Sequence, residues 1–263
     1  MDTLLFRGVE IRYESIGEGR PFLFLHGLGG NRNAVTTAYA PHPGIRLVTF
    51  DFPGHGDSGY GGDDDVFSFA AFTELLFFLQ DALQLAPCAL GGISMGAAVS
   101  LRAALLDPAR FTKLILARPA WLNAPMEPSA ARLYAEVVRY LHMENGFAAY
   151  RESELCAKLS AEYPALESST RGLLTAPNGA ATSEKFLRMP LDRPYESAGQ
   201  LAGIDLPTLI VGTRRDFVHP FSYAQTLASQ IPSAKLLEIP SKSVNAAQHR
   251  HALQDAIDAF LGD

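Results

Sequence analysis

The stretch from Leu90 to Gly96 constrains the fold of this chain more than any other. It lies inside ALGGISMGAAVSLRAAL, residues 89–105: a short apolar run, a Gly-x-Ser-x-Gly turn, and an Ala-rich run with high helix propensity. A strand running through so sharp a turn into a helix crowds the backbone, so small residues are needed on both sides of Ser94. Gly92 and Gly96 supply them, and Gly91 and Ala97 extend the uncrowded zone. This context turns Gly-x-Ser-x-Gly from a chance pattern into a nucleophile elbow. The serine hydroxyl then stands at the carboxyl end of a strand. There the helix N-terminus and the Met95 amide can stabilise a developing negative charge.

The rest of the chain repeats the strand-then-helix rhythm. Residues 4–14 alternate as a strand, and Gly17-Glu18-Gly19 follows as a turn. PFLFL (21–25), IRLVTF (45–50), FTKLILA (111–117) and PTLIVG (207–212) are continuous apolar runs, the pattern of strands buried on both faces of a parallel sheet. The spacing predicts helices over residues 67–85, 97–106 and 246–261, and a last strand over 235–239. The implied architecture is α/β: a mostly parallel sheet flanked by helices and joined by right-handed crossovers. One block breaks the rhythm. Residues 119–201 hold no strand-like run, only helical stretches such as ARLYAEVVRYL. They read as a helical cap inserted into a core formed by residues 1–118 and 202–263.

The chain has 263 residues, 48% of them hydrophobic, enough for one large α/β core. Its formal net charge is -6 with no long run of Lys or Arg, so nucleic acid is not an expected partner. Cys88 and Cys156 lie too far apart to form a metal or redox spacing, which fits a reduced, cytoplasmic setting with no metal and no cofactor. The N-terminus alternates like a strand rather than reading as a leader. The most apolar helix, around Leu75 to Leu79, is too short for a membrane span. A small molecule is the expected partner.

Three motifs in this order, HGLGG after one strand, DFPGHGDSG after the next and GISMG at the turn, resemble the α/β-hydrolase superfamily in its capped, esterase-like branch. The resemblance covers nearly the whole chain. It implies that Ser94 is the nucleophile and that the backbone amides of Leu28 and Met95 form the oxyanion hole. His26 and His55 then brace their own loops, which Asp51 and Ser58 also pin.

Two positions depart from the family pattern. After the strand at 207–212 the family places its acid as Gly-x-x-Asp, but Arg215 fills that slot and Asp216 comes one residue late. After the last strand, Ser243 stands where the family has its histidine, and serine is no general base near neutral pH. Asp216 remains the candidate acid. His249, on one helical face with Leu253, Ile257 and Phe260, is the favoured replacement base. His219, three residues after Asp216, is the other candidate. Arg118, directly after a buried strand, and Trp121 suggest recognition of a carboxylate-bearing or aromatic substrate. The expected activity is serine hydrolysis of a small ester or related carbonyl compound through an acyl-Ser94. The alternatives are a small-molecule binding protein of this fold, or a non-hydrolytic, lyase-type enzyme lacking a full triad.

Overall fold

In the computed structural model, which describes residues 2–262, the strands form one eight-stranded sheet in the order β1-β2-β4-β3-β5-β6-β7-β8. The elements in chain order are β1 (Asp2–Phe6), β2 (Val9–Ile16), β3 (Gly19–Leu25), α1 (Arg32–Ala38), β4 (Gly44–Phe50), α2 (Phe69–Ala82), β5 (Cys88–Ile93), α3 (Met95–Leu106) and β6 (Phe111–Ala117). After β6 come α4 (Pro128–Leu141), α5 (Gly146–Arg151), α6 (Glu154–Glu162), α7 (Pro164–Leu174) and α8 (Lys185–Arg188). The chain then re-enters the sheet with β7 (Thr208–Gly212), α9 (Phe221–Gln230), β8 (Ala234–Glu238) and α10 (Ala246–Gly262).

In the sheet order from β4 to β8 every pair is parallel; β2 pairs antiparallel with both β1 and β4 and alone runs against the other strands. The continuous apolar runs are explained by helices on both faces. In β3, Phe22 and Phe24 face the layer formed by α1 and α10, while Leu23 and Leu25 face α2, α3 and α9. The same alternation places Leu114 and Leu116 of β6 on one face and Ile115 and Ala117 on the other. This is the two-residue period of a strand, with both faces dry.

Two local features escaped the sequence reading. The stretch over 4–14 is a hairpin rather than one strand: Arg7 and Gly8, with φ of 50° and 80°, form a two-residue turn between β1 and β2. Helices α1 and α9 are further elements that the hydrophobic spacing does not mark. The first is only 7 residues long, yet Asn31 caps it by accepting the Ala34 N–H at 3.1 Å.

The helices between β6 and β7 lean on the loops at the carboxyl edge of the sheet. The Lys185 ammonium donates to the Gly54 carbonyl at 2.6 Å, and the Phe69 N–H donates to Asp192 at 2.7 Å. Tyr163 packs against Phe217 with ring centroids 5.5 Å apart. No helix among the described residues is long and apolar enough to cross a membrane.

Candidate active site

Ser94 has φ 57° and ψ -111°, a conformation that an L-residue adopts only when its surroundings enforce it. Here they do. The Ser94 N–H donates to the Ala117 carbonyl at 2.9 Å, and its own carbonyl accepts from Ala98 at 3.1 Å. The close packing that makes the turn possible depends on the two flanking glycines. A Cβ on Gly96 would lie 2.8 Å from the His26 carbonyl oxygen, and one on Gly92 would lie 2.7 Å from the Ala97 nitrogen. Both obstacles are backbone and cannot swing aside. Gly96→Ala is therefore expected to destabilise the fold by about 2 kcal/mol, the cost typical of overpacking. A urea midpoint equal to that of the wild type would refute this.

The loop after β3 is held from below. His26 is fully buried; it accepts the Phe52 N–H at Nε2 (3.1 Å) and donates from Nδ1 to the Gly27 carbonyl (2.8 Å). Those partners fix the neutral tautomer. Burial lowers its pKa to about 4, against the opposing pull of the Gly27 carbonyl and Asp51. His55 is likewise held neutral by burial, with Lys185 and His26 adding to the effect, and its Nδ1 meets the Pro53 carbonyl at 3.0 Å. Asp51 accepts the Arg32 N–H (2.6 Å), the Asp57 N–H (2.9 Å) and the Arg32 guanidinium, which ties the loops after β3 and β4 together. All of this is bracing.

A cavity of about 630 Å³ opens at this edge, within the range of small-ligand sites. Ser94, Leu28, Arg118, Asp216, His219 and His249 all line it. The Met95 side chain is buried in the core. Its amide, at the first position of α3, has no intrahelical acceptor to satisfy it.

Register explains part of this convergence. Ile93 of β5 pairs with Ala117 of β6, and the Arg118 N–H donates to the Val211 carbonyl of β7 at 2.7 Å. The residues that follow these strands are therefore neighbours along one edge.

Asp216 forms the polar centre of the far wall. Its Oδ2 accepts from Arg118 Nε (3.0 Å) and Nη2 (2.6 Å). Its Oδ1 accepts the N–H groups of Val218 and His219, both at 3.2 Å, and lies 2.8 Å from His219 Nδ1. The same Nδ1 also stands 3.0 Å from Arg118 Nη2; the nearer carboxylate favours a proton on Nδ1, which would leave Nε2 free to accept, and the guanidinium opposes it. Burial alone would raise the Asp216 pKa, but His219 and Arg118 outweigh it and hold the carboxyl far below its usual range. Burial lowers the His219 pKa, and Asp216 only partly restores it. At neutral pH the cluster is an ionised carboxylate, a guanidinium cation and a neutral imidazole. The extra residue before Asp216 is absorbed at Arg215, which adopts φ 55°.

The structure does not join Asp216 to His249. His249 lies on the buried face of α10, as its spacing implies, but its Nδ1 pairs with the Pro240 carbonyl at 2.8 Å. Burial lowers its pKa, with Arg118 and Lys242 contributing. Trp121 also differs from expectation. Only 1% exposed, it packs edge-on against Phe69 with centroids 5.2 Å apart and does not line the cavity. A residue following a sheet strand can turn into the core as readily as into a cleft, and an indole gains more from burial.

The Ser94 hydroxyl makes no hydrogen bond among the described residues, and neither histidine reaches it in this state. No three His, Cys, Asp or Glu side chains among them are grouped as metal ligands would be. Tyr134 and Tyr163 also line the cavity, from the helices after β6, and no signal in the sequence marked them. Burial, reinforced by Asp216, pushes the Tyr134 hydroxyl up, so it stays protonated as a donor.

An eight-stranded, mostly parallel sheet with a strained serine between β5 and α3 defines an α/β-fold hydrolase. The chain belongs to the α/β-hydrolase fold family, whose sequence model matches residues 20–243. It is 31% identical over 257 residues to the AB hydrolase superfamily protein YisY of Bacillus subtilis, covering 87% of this chain and 86% of that protein. It is 28% identical over 255 residues to the putative carbamate hydrolase RutD of Klebsiella pneumoniae, covering 92% and 93%. Among solved structures, a hydrolase from Pseudomonas aeruginosa superposes with a TM-score of 0.75 at 26% identity, covering 100% of this chain and 98% of the other. The enol-lactonase of Burkholderia xenovorans shares the fold, with a TM-score of 0.76 at 18% identity and full coverage of both chains.

Proposed function

We propose that this protein hydrolyses small esters or related carbonyl compounds through an acyl-enzyme on Ser94, with His219 rather than His249 as the base. The observation that carries the choice is the 2.8 Å pair between Asp216 and His219 Nδ1 on the wall of the cavity that Ser94 lines. An acid that fixes the imidazole tautomer and stabilises the imidazolium is what the general base of a serine nucleophile requires.

In this reading Ser94 Oγ attacks the substrate carbonyl carbon as His219 Nε2 takes the hydroxyl proton. The Leu28 and Met95 amides stabilise the oxyanion. Collapse expels the leaving group, which receives that proton and departs as an alcohol or amine. Water, deprotonated by His219, then attacks the acyl carbon; the C–Oγ bond breaks, Ser94 regains its proton and a carboxylic acid is released. Hydrogen bonds of this kind often tighten only in the substrate complex, which accommodates the present gap between Ser94 and the imidazole. Residues 119–201 would cap the site, and Tyr134 and Tyr163 support this by facing the cavity from that segment. The putative carbamate hydrolases and the lactonase among the similar proteins support acyl transfer as the reaction class.

The test is the pH dependence of Ser94 labelling by a fluorophosphonate. The base acts only when unprotonated, and burial lowers the His219 pKa from its ordinary 6.5. The labelling rate should rise with pH through a midpoint below 6.5 and be level at pH 7 to 8. A midpoint above 7, or no labelling of the folded protein, would overturn the assignment.

A further inference from the structure

Resting on that reading of the cavity as a substrate site, we infer that Lys242 and Arg250 form an anion-recognition rim and that the substrate carries a carboxylate remote from its scissile carbonyl. The charged residues lining the cavity are Arg118, Asp216, Lys242 and Arg250. Arg118 and Asp216 form an ion pair, and the three histidines on the wall, His26, His219 and His249, are held neutral. Two cations therefore remain without a direct ion pair, Asp216 acting on Lys242 only from beyond salt-bridge distance, in a chain whose net charge is -6.

Neither Lys242 nor Arg250 makes an ion pair or hydrogen bond among the described residues, although acidic residues are plentiful in the chain. Arg214, on the same edge, shows the contrast: it is paired with Glu238 at 3.0 Å. Lys242 stands just before α10. Arg250 projects from its early turns on the cavity-lining face shared by Ala246, His249 and Leu253. Lys242 and Arg250 are both solvent-exposed at the cavity mouth. Partial desolvation and the charge of Arg118 lower the Lys242 pKa while Asp216 opposes them, and a bound anion would act in the same sense as Asp216. Elsewhere the wall is largely apolar, with Leu28, Ile93, Leu166, Phe217 and Val218. An apolar middle with a cationic end suits an acyl or alkyl chain that terminates in a carboxylate.

The test compares monomethyl adipate with methyl hexanoate, esters of equal acyl chain length that differ in a terminal carboxylate, by pH-stat at low ionic strength. Wild type should favour the anionic ester about tenfold in kcat/KM, through KM, because charge-assisted contacts carry that difference. The ratio should collapse towards one in the Lys242→Gln, Arg250→Gln double variant and in high salt. Calorimetric binding of monomethyl adipate to Ser94→Ala is the second readout and needs no turnover. It should weaken about tenfold when the two Gln substitutions are added.

Hydrolysis of both esters at equal efficiency, with no effect of the double substitution on that binding, would overturn the rim while leaving the hydrolase reading intact. Binding that depends on Lys242 and Arg250, with no hydrolysis of either ester, would do the reverse.

Discussion

Ser94→Ala is expected to reduce kcat for a small activated ester by about 10^4-fold or more, the loss typical when the nucleophile of a serine triad is removed. The hydroxyl is the atom that forms the covalent bond, and no neighbouring group can replace it. Ser169, Ser241 and Ser243 also line the cavity, but Ser169 lies on α7 and the other two after β8, none of them at the turn entering α3. The fold should tolerate the change. Alanine keeps the Cβ already accommodated 3.2 Å from where a Cβ on Gly27 would stand, and the Ser94 side chain forms no hydrogen bond that would be lost. The measurement is ester turnover alongside thermal unfolding. Turnover within tenfold of wild type in a folded Ser94→Ala protein would eliminate the acyl-enzyme and favour chemistry that does not pass through the serine.

The second large effect is expected at Asp216. Replacing it with Asn removes the charge that stabilises an imidazolium and allows the wrong His219 tautomer, since an amide N–H can donate to Nδ1. A triad acid so replaced loses about 10^4-fold in kcat. Stability should fall as well. Arg118 and Asp216 have side chains only 18% and 10% exposed, and removing one partner leaves the guanidinium poorly solvated without its counterion. Breaking a pair of this burial costs about 3 kcal/mol. Denaturant unfolding separates the two effects: a folded variant, assayed well below its transition, should still show the catalytic loss. His219→Ala should lose activity to a similar degree. Full activity in His219→Ala would return the base to His249.

The hydrophobic patterning made the sheet legible. PFLFL, IRLVTF, FTKLILA and PTLIVG each became a parallel strand because helices cover both faces, so a continuous apolar run was the correct signal there. The turn at Ser94 was legible for another reason: Gly92 and Gly96 are demanded by backbone approaching backbone, which no side-chain rearrangement relieves. The hairpin at Arg7-Gly8 was less visible, because alternation continues through a two-residue turn without a break in pattern. Helix α1 was hidden by its brevity, too short for hydrophobic periodicity to register.

The candidate site divides along the same line. The α/β sheet, the position of Ser94 at a strand-to-helix corner and the absence of a histidine at position 243 are all properties of the amino-acid order alone, whereas the bracing roles of His26 and His55 followed from the family resemblance and rest on contacts such as that of His26 with Phe52. The sheet and the Ser94 corner depend on neighbours a few residues away, where period, propensity and steric crowding act directly. The packing of the folded chain sets the rest: Asp216 holds His219 and Arg118 rather than His249, Trp121 turns into the core, and Lys242 and Arg250 line the cavity without a direct ion pair. Each of these depends on which way a loop residue turns at the edge of the sheet. A single backbone angle, such as the φ of 55° at Arg215, redirects the segment that carries Asp216 and His219, and one-dimensional spacing does not encode that direction.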